Sequence, residues 1–251
     1  MSSREKLLSV ILALAVAGWW VYEPAKTGAD ALNGPSELRS MAQAKVAPEK
    51  MELDPDTQSR NKNAIDALLA LDRIPVEDIE HFGYSAIPIL TELYRESADT
   101  RKKSRIAHVF WRLGWQSTEI EDALMDDLDA KDPYLKVQVQ WGIAKSTQSN
   151  KVIEKLLHNL ENDPSPFVRD KAACALASDF VHISPEQRLN IISGLIGGLS
   201  NEIKQVRSSS ILALKIHTGQ TKGFVAADTL SNRNKSIERW NLWLTEYEQN
   251  L

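Results

Sequence analysis

NDPSPFVRDKAACALA, residues 162–177, runs from turn-forming residues through a Val168-Arg169 pair into a strip of alanines around the chain's one cysteine. Asp163 or Ser165 can accept the free amides at the start of a helix, and Pro164 or Pro166 suits its first position, where a missing N–H costs nothing. Val168, Ala172, Ala175 and Leu176 then share one helix face, and the small members of that face let a paired helix come close. Arg169 flanks the face with a long stem and a fixed fork of donors, fit to bond a carboxylate or carbonyl of a neighbouring unit. The order recurs. Asp99 and Arg105, Asp132 and Gln138, Asp163 and Arg169, Asn201 and Arg207 each stand six residues apart, at intervals of 33, 31 and 38 residues. Val137, Val168 and Val206 precede the later three members, with Ser104 in the first copy. Such intervals are those of stacked helical hairpins.

Before each of these segments lies an apolar stripe at helical spacing. Ala86, Ile89, Leu90 and Leu93 fall at i, i+3, i+4 and i+7, as do Ile153, Leu156, Leu157 and Leu160, and Ile192, Leu195, Ile196 and Leu199. Ile120, Ala123, Leu124 and Leu128 form a looser version, and no segment sustains strand alternation. The DPxxxVR segment, the alanine-rich second helix and the six-residue Asp-to-Arg spacing resemble HEAT repeats over about residues 85–217. That resemblance implies an all-α fold, an α-solenoid of stacked hairpins, with the Asp and Arg forming a ladder between units. Gln138 and Asn201 depart from the pattern and interrupt a continuous ionic ladder. HTGQTKGF at 217–224 followed by IERWNLWL at 237–244 is similar to the close of bacterial HEAT-like proteins. Ile237, Trp240 and Leu244, with Trp243 beside them, form the lid that the open end of such an array requires.

The amino end reads MSSREK and then sixteen uncharged residues, LLSVILALAVAGWWVY, from Leu7 to Tyr22. As a helix this rises roughly 24 Å, a little short of a roughly 30 Å hydrocarbon layer, with Trp19, Trp20 and Tyr22 near the far interface. A single-pass anchor is expected, with Arg4 and Lys6 on the cytoplasmic side. The alternative is a signal peptide cleaved after Ala15-Val16-Ala17, which leaves a secreted or periplasmic protein. No cysteine follows the apolar run, so lipoprotein attachment is not expected. Residues 23–62 are rich in proline, glycine and polar side chains and read as a tether. The chain thus divides into 1–22 anchor or signal, 23–62 linker and 63–251 helical repeat domain, placed in the inner membrane with the domain on the periplasmic side.

At 251 residues, 43% hydrophobic and 25% charged, the chain can bury a sizeable core. Its formal charge is -4; Arg4 and Lys6 against Glu5 make the first 22 residues +1, which leaves -5 for the rest. That balance argues against a general nucleic-acid binder, which needs surplus cations to displace counterions. Cys174 is alone, so no intrachain disulfide forms, and it reads as a small buried side chain.

His81, His108, His158, His182 and His217 show no metal-ligand spacing, so neither metal nor cofactor is expected. Gly194, Gly197 and Gly198 lack the Gly-Lys-Ser/Thr sequel of a phosphate loop and read as close helix contacts. Glu119, Asp122, Asp126 and Asp129 fall on one helical face, read as a solvated outer surface. Trp111 and Trp141 align with Ala175 and Ala172 and read as core. No catalytic set stands out. The expectation is a membrane-tethered scaffold that holds a protein partner in the groove of its second helices, with no nucleic acid and no small-molecule substrate. The alternatives are an enzyme or enzyme subunit, since HEAT-like proteins include ones resembling chromophore lyases and a DNA glycosylase, and a purely structural spacer.

Overall fold

The structure, a computed structural model, describes Lys45 and residues 47–250. The apolar segment 7–22 lies outside the described residues; within them no helix is long and apolar enough to cross a membrane. The described chain is all-helical, with eleven α-helices: α1 Pro55–Ala70, α2 Val76–Glu80, α3 Ala86–Glu96, α4 Thr100–Leu113, α5 Thr118–Leu124, α6 Pro133–Ser146, α7 Asn150–Asn162, α8 Pro166–Ser178, α9 Pro185–Gly198, α10 Lys204–Thr218 and α11 Leu230–Glu248. Extended pairing is confined, among the described residues, to one isolated bridge between Lys45 and Trp115.

Capping chemistry sets most of the helix starts. Asp99 accepts from the Arg101 amide, Asp132 from Leu135, and Ser165 from Val168, with Pro133 and Pro166 opening α6 and α8. Of the two capping candidates in the opening stretch Ser165 is used, and the Asp163 carboxylate instead accepts the Ser165 amide. Asp54 caps α1, so helix begins inside the stretch 23–62 that composition marks as a tether. Pro55 sits at the first position of that helix, where proline favours a start rather than a break.

The helices pack in two series. On one side α1 meets α3 and α3 meets α5, and further on α7 meets α9 and α9 meets α11; on the other, α2, α4, α6, α8 and α10 each pack on the next. The predicted stripes face the interior between them. Ala86, Ile89, Leu90 and Leu93 are buried, as are Ile153, Leu156 and Leu160, and Ile192, Leu195, Ile196 and Leu199. Leu157 is partly buried and lies over Gly194, where a Cβ would sit 2.4 Å from its Cδ1. Gly198 makes a similar close approach to Ser210, while Gly197 has open space around it.

The acidic run departs from the reading of one solvated face. The α-helix ends at Leu124 and tightens into a 3-10 turn over Met125–Asp129, so Glu119 and Asp129 do not share one continuous α-helical face. Several of its carboxylates are taken by neighbours rather than by water. Asp127 accepts from the buried Tyr94 hydroxyl at 2.6 Å and from Lys103 at 2.8 Å. Burial and that carboxylate push the Tyr94 hydroxyl far above its ordinary value. Glu119 accepts from Tyr84 and Glu121 from Thr147, while Lys155 pairs with Asp129. Asp122 and Asp126 remain exposed.

At the carboxyl end Trp240 is fully buried and donates its indole N–H to the Thr221 carbonyl at 3.2 Å. Ile237, Trp243, Leu244 and Tyr247 pack around it against the core.

Candidate functional site

The second helices α4, α6, α8 and α10 lie side by side and present one continuous strip. The residues singled out by the six-residue spacing stand at or just before the starts of these helices and in their second turn. Arg105 donates backward, to the carbonyls of Leu69 at 2.9 Å, Leu71 and Asp72, at the end of α1. Arg169 donates to the Asp163 carbonyl at 2.7 Å and, across to α10, to the Gln205 side-chain oxygen at 2.8 Å. Arg207 follows the same plan, bonding the Asn201 carbonyl at 2.8 Å and the Ala226 carbonyl at 2.9 Å.

The carboxylates take other partners. Asp99 and Asp132 cap their own helices, Asn201 accepts from the Ile203 amide, and Asp163 receives Lys136 of α6 at 2.6 Å. Units are therefore joined by arginine-to-carbonyl and arginine-to-amide bonds and by one lysine ion pair, with no arginine-carboxylate bond within the set. Gln138, standing where an arginine recurs elsewhere, is buried beside His108, and its side-chain oxygen accepts no hydrogen bond among the described residues.

Charge is unevenly placed among the described helices. The four second helices hold twelve Lys and Arg against one acid, Asp170. The stretch Thr118–Asp129 holds six acids and no base. Most of the cations are already engaged: Lys102 with Asp66, Lys103 with Asp127, Arg112 with Glu77, Lys136 with Asp163, and the three arginines with carbonyls. What the strip offers to solvent is mixed. Tyr134 on α6, Phe167 on α8 and Leu212 on α10 are 59%, 46% and 50% exposed, and Arg101 on α4 and Lys204 on α10 are exposed as well.

Towards the carboxyl ends of these helices lies an aromatic group. The His108 and Trp111 rings are 5.4 Å apart and those of Trp111 and Trp141 6.1 Å, with the Lys145 ammonium 5.3 Å from the Trp111 ring centre. Trp115 is core, whereas Trp111 and Trp141 are only half-buried. The Trp111 indole donates to the Asp179 carboxylate at 3.0 Å. Asp179 is only 7% exposed, and its loss of water pushes the carboxyl up to about 6, with the indole bond and Lys145 acting against that rise. His182 donates from Nε2 to the Gly114 carbonyl at 3.0 Å, and His217 likewise to Leu176 at 2.8 Å. Burial holds His217 down at about 4 and lowers His108 as well.

Cys174, expected inside the alanine strip, is exposed on α8. The helix rotates its neighbours Ala172, Ala173 and Ala175 inward and leaves residue 174 on the open side. Partial enclosure of its sulfur and the Asp170 carboxylate push the thiol up, away from a nucleophile's range.

A polar recess of about 410 Å³ opens between the ends of these hairpins, lined by Tyr84, Gln116, Ser117, Glu119, Glu121 and Gln148 among others. Both of its carboxylates are held by hydroxyl groups, as given above. Among the described residues no group of three or more His, Cys, Asp or Glu is arranged to hold a metal ion.

Sequence reasoning did not foresee Asp179 or its link to Trp111. They are 68 residues apart, and no periodic pattern couples them. The chain matches no protein-family model and no curated protein.

Proposed function

We propose that the chain is a HEAT-like α-solenoid, carried out of the cytoplasm by its apolar segment 7–22, that holds a protein partner along the strip of α4, α6, α8 and α10. The observation that carries this reading is the repeated packing of each second helix on the next, tied by Lys136, Arg169 and Arg207 reaching forward and Arg105 reaching back. Hairpins that cannot cover their own apolar sides stack in this way and leave one extended face free for a partner.

Exposed Tyr134, Phe167 and Leu212 favour a protein on that face, since aromatic and aliphatic anchors concentrate binding energy in protein contacts. A nucleic acid would require free cations tracking the phosphates, and here most are spent inside the array. Catalysis in the recess finds less support, because Glu119 and Glu121 face no basic partner in its lining.

The test is photo-crosslinking in intact cells from a reactive side chain placed at Phe167, with Glu154 on α7 as the control. The reading expects a defined protein adduct at position 167, none at 154, and loss of the adduct when residues 1–22 are deleted. Equal labelling at both positions, or no adduct at 167, refutes it.

A further inference from the structure

Trp111 and Trp141 are out of step with the repeat that carries them. At the recurrence intervals of 33, 31 and 38 residues, the position of Trp111 is taken by Ala144, Ala175 and Ala213. That of Trp141 is taken by Ala172 and Ser210, and in the preceding unit by His108. Ala144, Ala172, Ala175, Ala213 and Ser210 are all fully buried, so packing between units is met at these positions by small side chains. The two indoles are instead half-buried. They stand together, the Trp111 ring 6.1 Å from that of Trp141, 5.4 Å from that of His108 and 5.3 Å from the Lys145 ammonium.

We propose that this patch of α4 and α6 is the anchor point for the protein partner, and that it takes an acidic segment bearing an aromatic side chain. The inference rests on the reading of α4, α6, α8 and α10 as the partner-binding helices and names what they select.

Charge sets the sign of the segment. Residues 108–117, 139–149 and 171–178, which hold the later parts of α4, α6 and α8, contain no Asp or Glu. Asp179, next along the chain, is buried and accepts the Trp111 indole N–H. Arg112 is paired with Glu77, whereas Lys145 is in no ion pair among the described residues. An arriving carboxylate thus meets a cation that no exposed acid of these segments has taken. One such cation suits the few carboxylates of a peptide and not a phosphate chain, whose binding grows with each phosphate neutralised. The rings set the rest. Aromatic pairs favour tilted and edge contacts with centres about 4.5–7 Å apart. His108, Trp111 and Trp141 already form such a series, and a ring brought by the partner extends it. Tryptophan and tyrosine also dominate the energetic centres of protein contacts, where anchors on the two sides meet one another.

The experiment titrates the full chain with a glutamate–tyrosine copolymer, a lysine–tyrosine copolymer and an oligothymidylate, following the indole N–H resonances of Trp111 and Trp141 by NMR. Loss of one signal in Trp111→Phe and of the other in Trp141→Phe assigns them. The glutamate–tyrosine copolymer should move both, and the other two polymers neither at the same concentration. Lys145→Gln should weaken that binding about tenfold, the scale of one lost charge contact, while Glu154→Gln on α7 leaves it unchanged. Trp141→Ala, matching the Ala172 of the next unit, should weaken it at least as much; if that variant does not fold, Lys145→Gln still decides. Unmoved resonances with the glutamate–tyrosine copolymer, equal movement with either other polymer, or wild-type binding by Lys145→Gln overturns the proposal. So does an adduct at position 167 in cells that forms as well in Lys145→Gln as in the wild type, a result that leaves the partner-binding reading standing. Absence of any adduct refutes that reading instead, whatever the copolymers show.

Discussion

Replacing Asp179 with Asn should change the pH dependence of stability in a way that depends on a second residue, His217. The carboxyl lies at about 6 in the fold against an ordinary 3.8. Between those values the folded chain binds a proton that the unfolded chain does not, so the stabilisation from Asp179 is fully present below 3.8 and is lost as pH rises to 6. At 1.36 kcal/mol per unit the change is about 3 kcal/mol. His217 works in the opposite sense. It lies at about 4 in the fold against an ordinary 6.5, so its neutral form is favoured by folding, and the stability it contributes is fully present above 6.5 and lost as pH falls to 4. That change is also up to about 3 kcal/mol.

Across the shared window the two slopes oppose each other, and the wild type should be nearly flat in this part of its profile. Asp179→Asn removes one of them and exposes the other: its stability should rise by up to about 3 kcal/mol between pH 4 and 6.5, and near neutrality it should exceed the wild type by a similar amount. His217→Gln, which keeps a donor for the Leu176 carbonyl, should show the reverse slope. The assay is urea unfolding followed by far-UV circular dichroism at a series of pH values, each variant compared with the wild type at the same pH. Parallel profiles for wild type and Asp179→Asn through the window refute the reasoning, because they would mean that the carboxyl is not desolvated in the fold.

Gly142→Ala places a methyl group 2.7 Å from the Ala107 carbonyl oxygen. It should cost about 1–3 kcal/mol by overpacking and, by moving α6 off α4, weaken the Trp111–Asp179 bond, read as an upfield move of the indole N–H resonance; an unmoved resonance counts against the close-approach argument. Trp240→Ala empties a fully buried site and should cost about 3–5 kcal/mol. Amide exchange should then quicken in α9 and α10 while α3 and α4 keep their protection, and uniform loss throughout would contradict an array whose units depend chiefly on their neighbours.

The helices and their inward faces were legible in the chain because each depends on neighbours in sequence. The stripes in α3, α7 and α9 follow a 3.6-residue period, and the starts of α4, α6 and α8 rest on Asp99, Asp132 and Ser165 acting within three residues. The partners of the recurring arginines were less so. A side chain at a known place on a helix can meet a carboxylate or a carbonyl, and only the seating of one unit on the next directs Arg169 to Gln205 and Arg207 to Ala226.

The acidic run shows the same division: its residues read as one outer face until Tyr94, Lys103 and Lys155 approach from other elements and take Asp127 and Asp129. Sequence periodicity fixes which side of a helix is apolar, since that is a property of one segment. How closely two helices approach, as at Gly142, is decided between segments, and so are the bonds of Trp111 to Asp179 and His182 to Gly114. Burial of that carboxyl, and with it the proton it holds near pH 6, is a consequence of tertiary packing that no local spacing encodes.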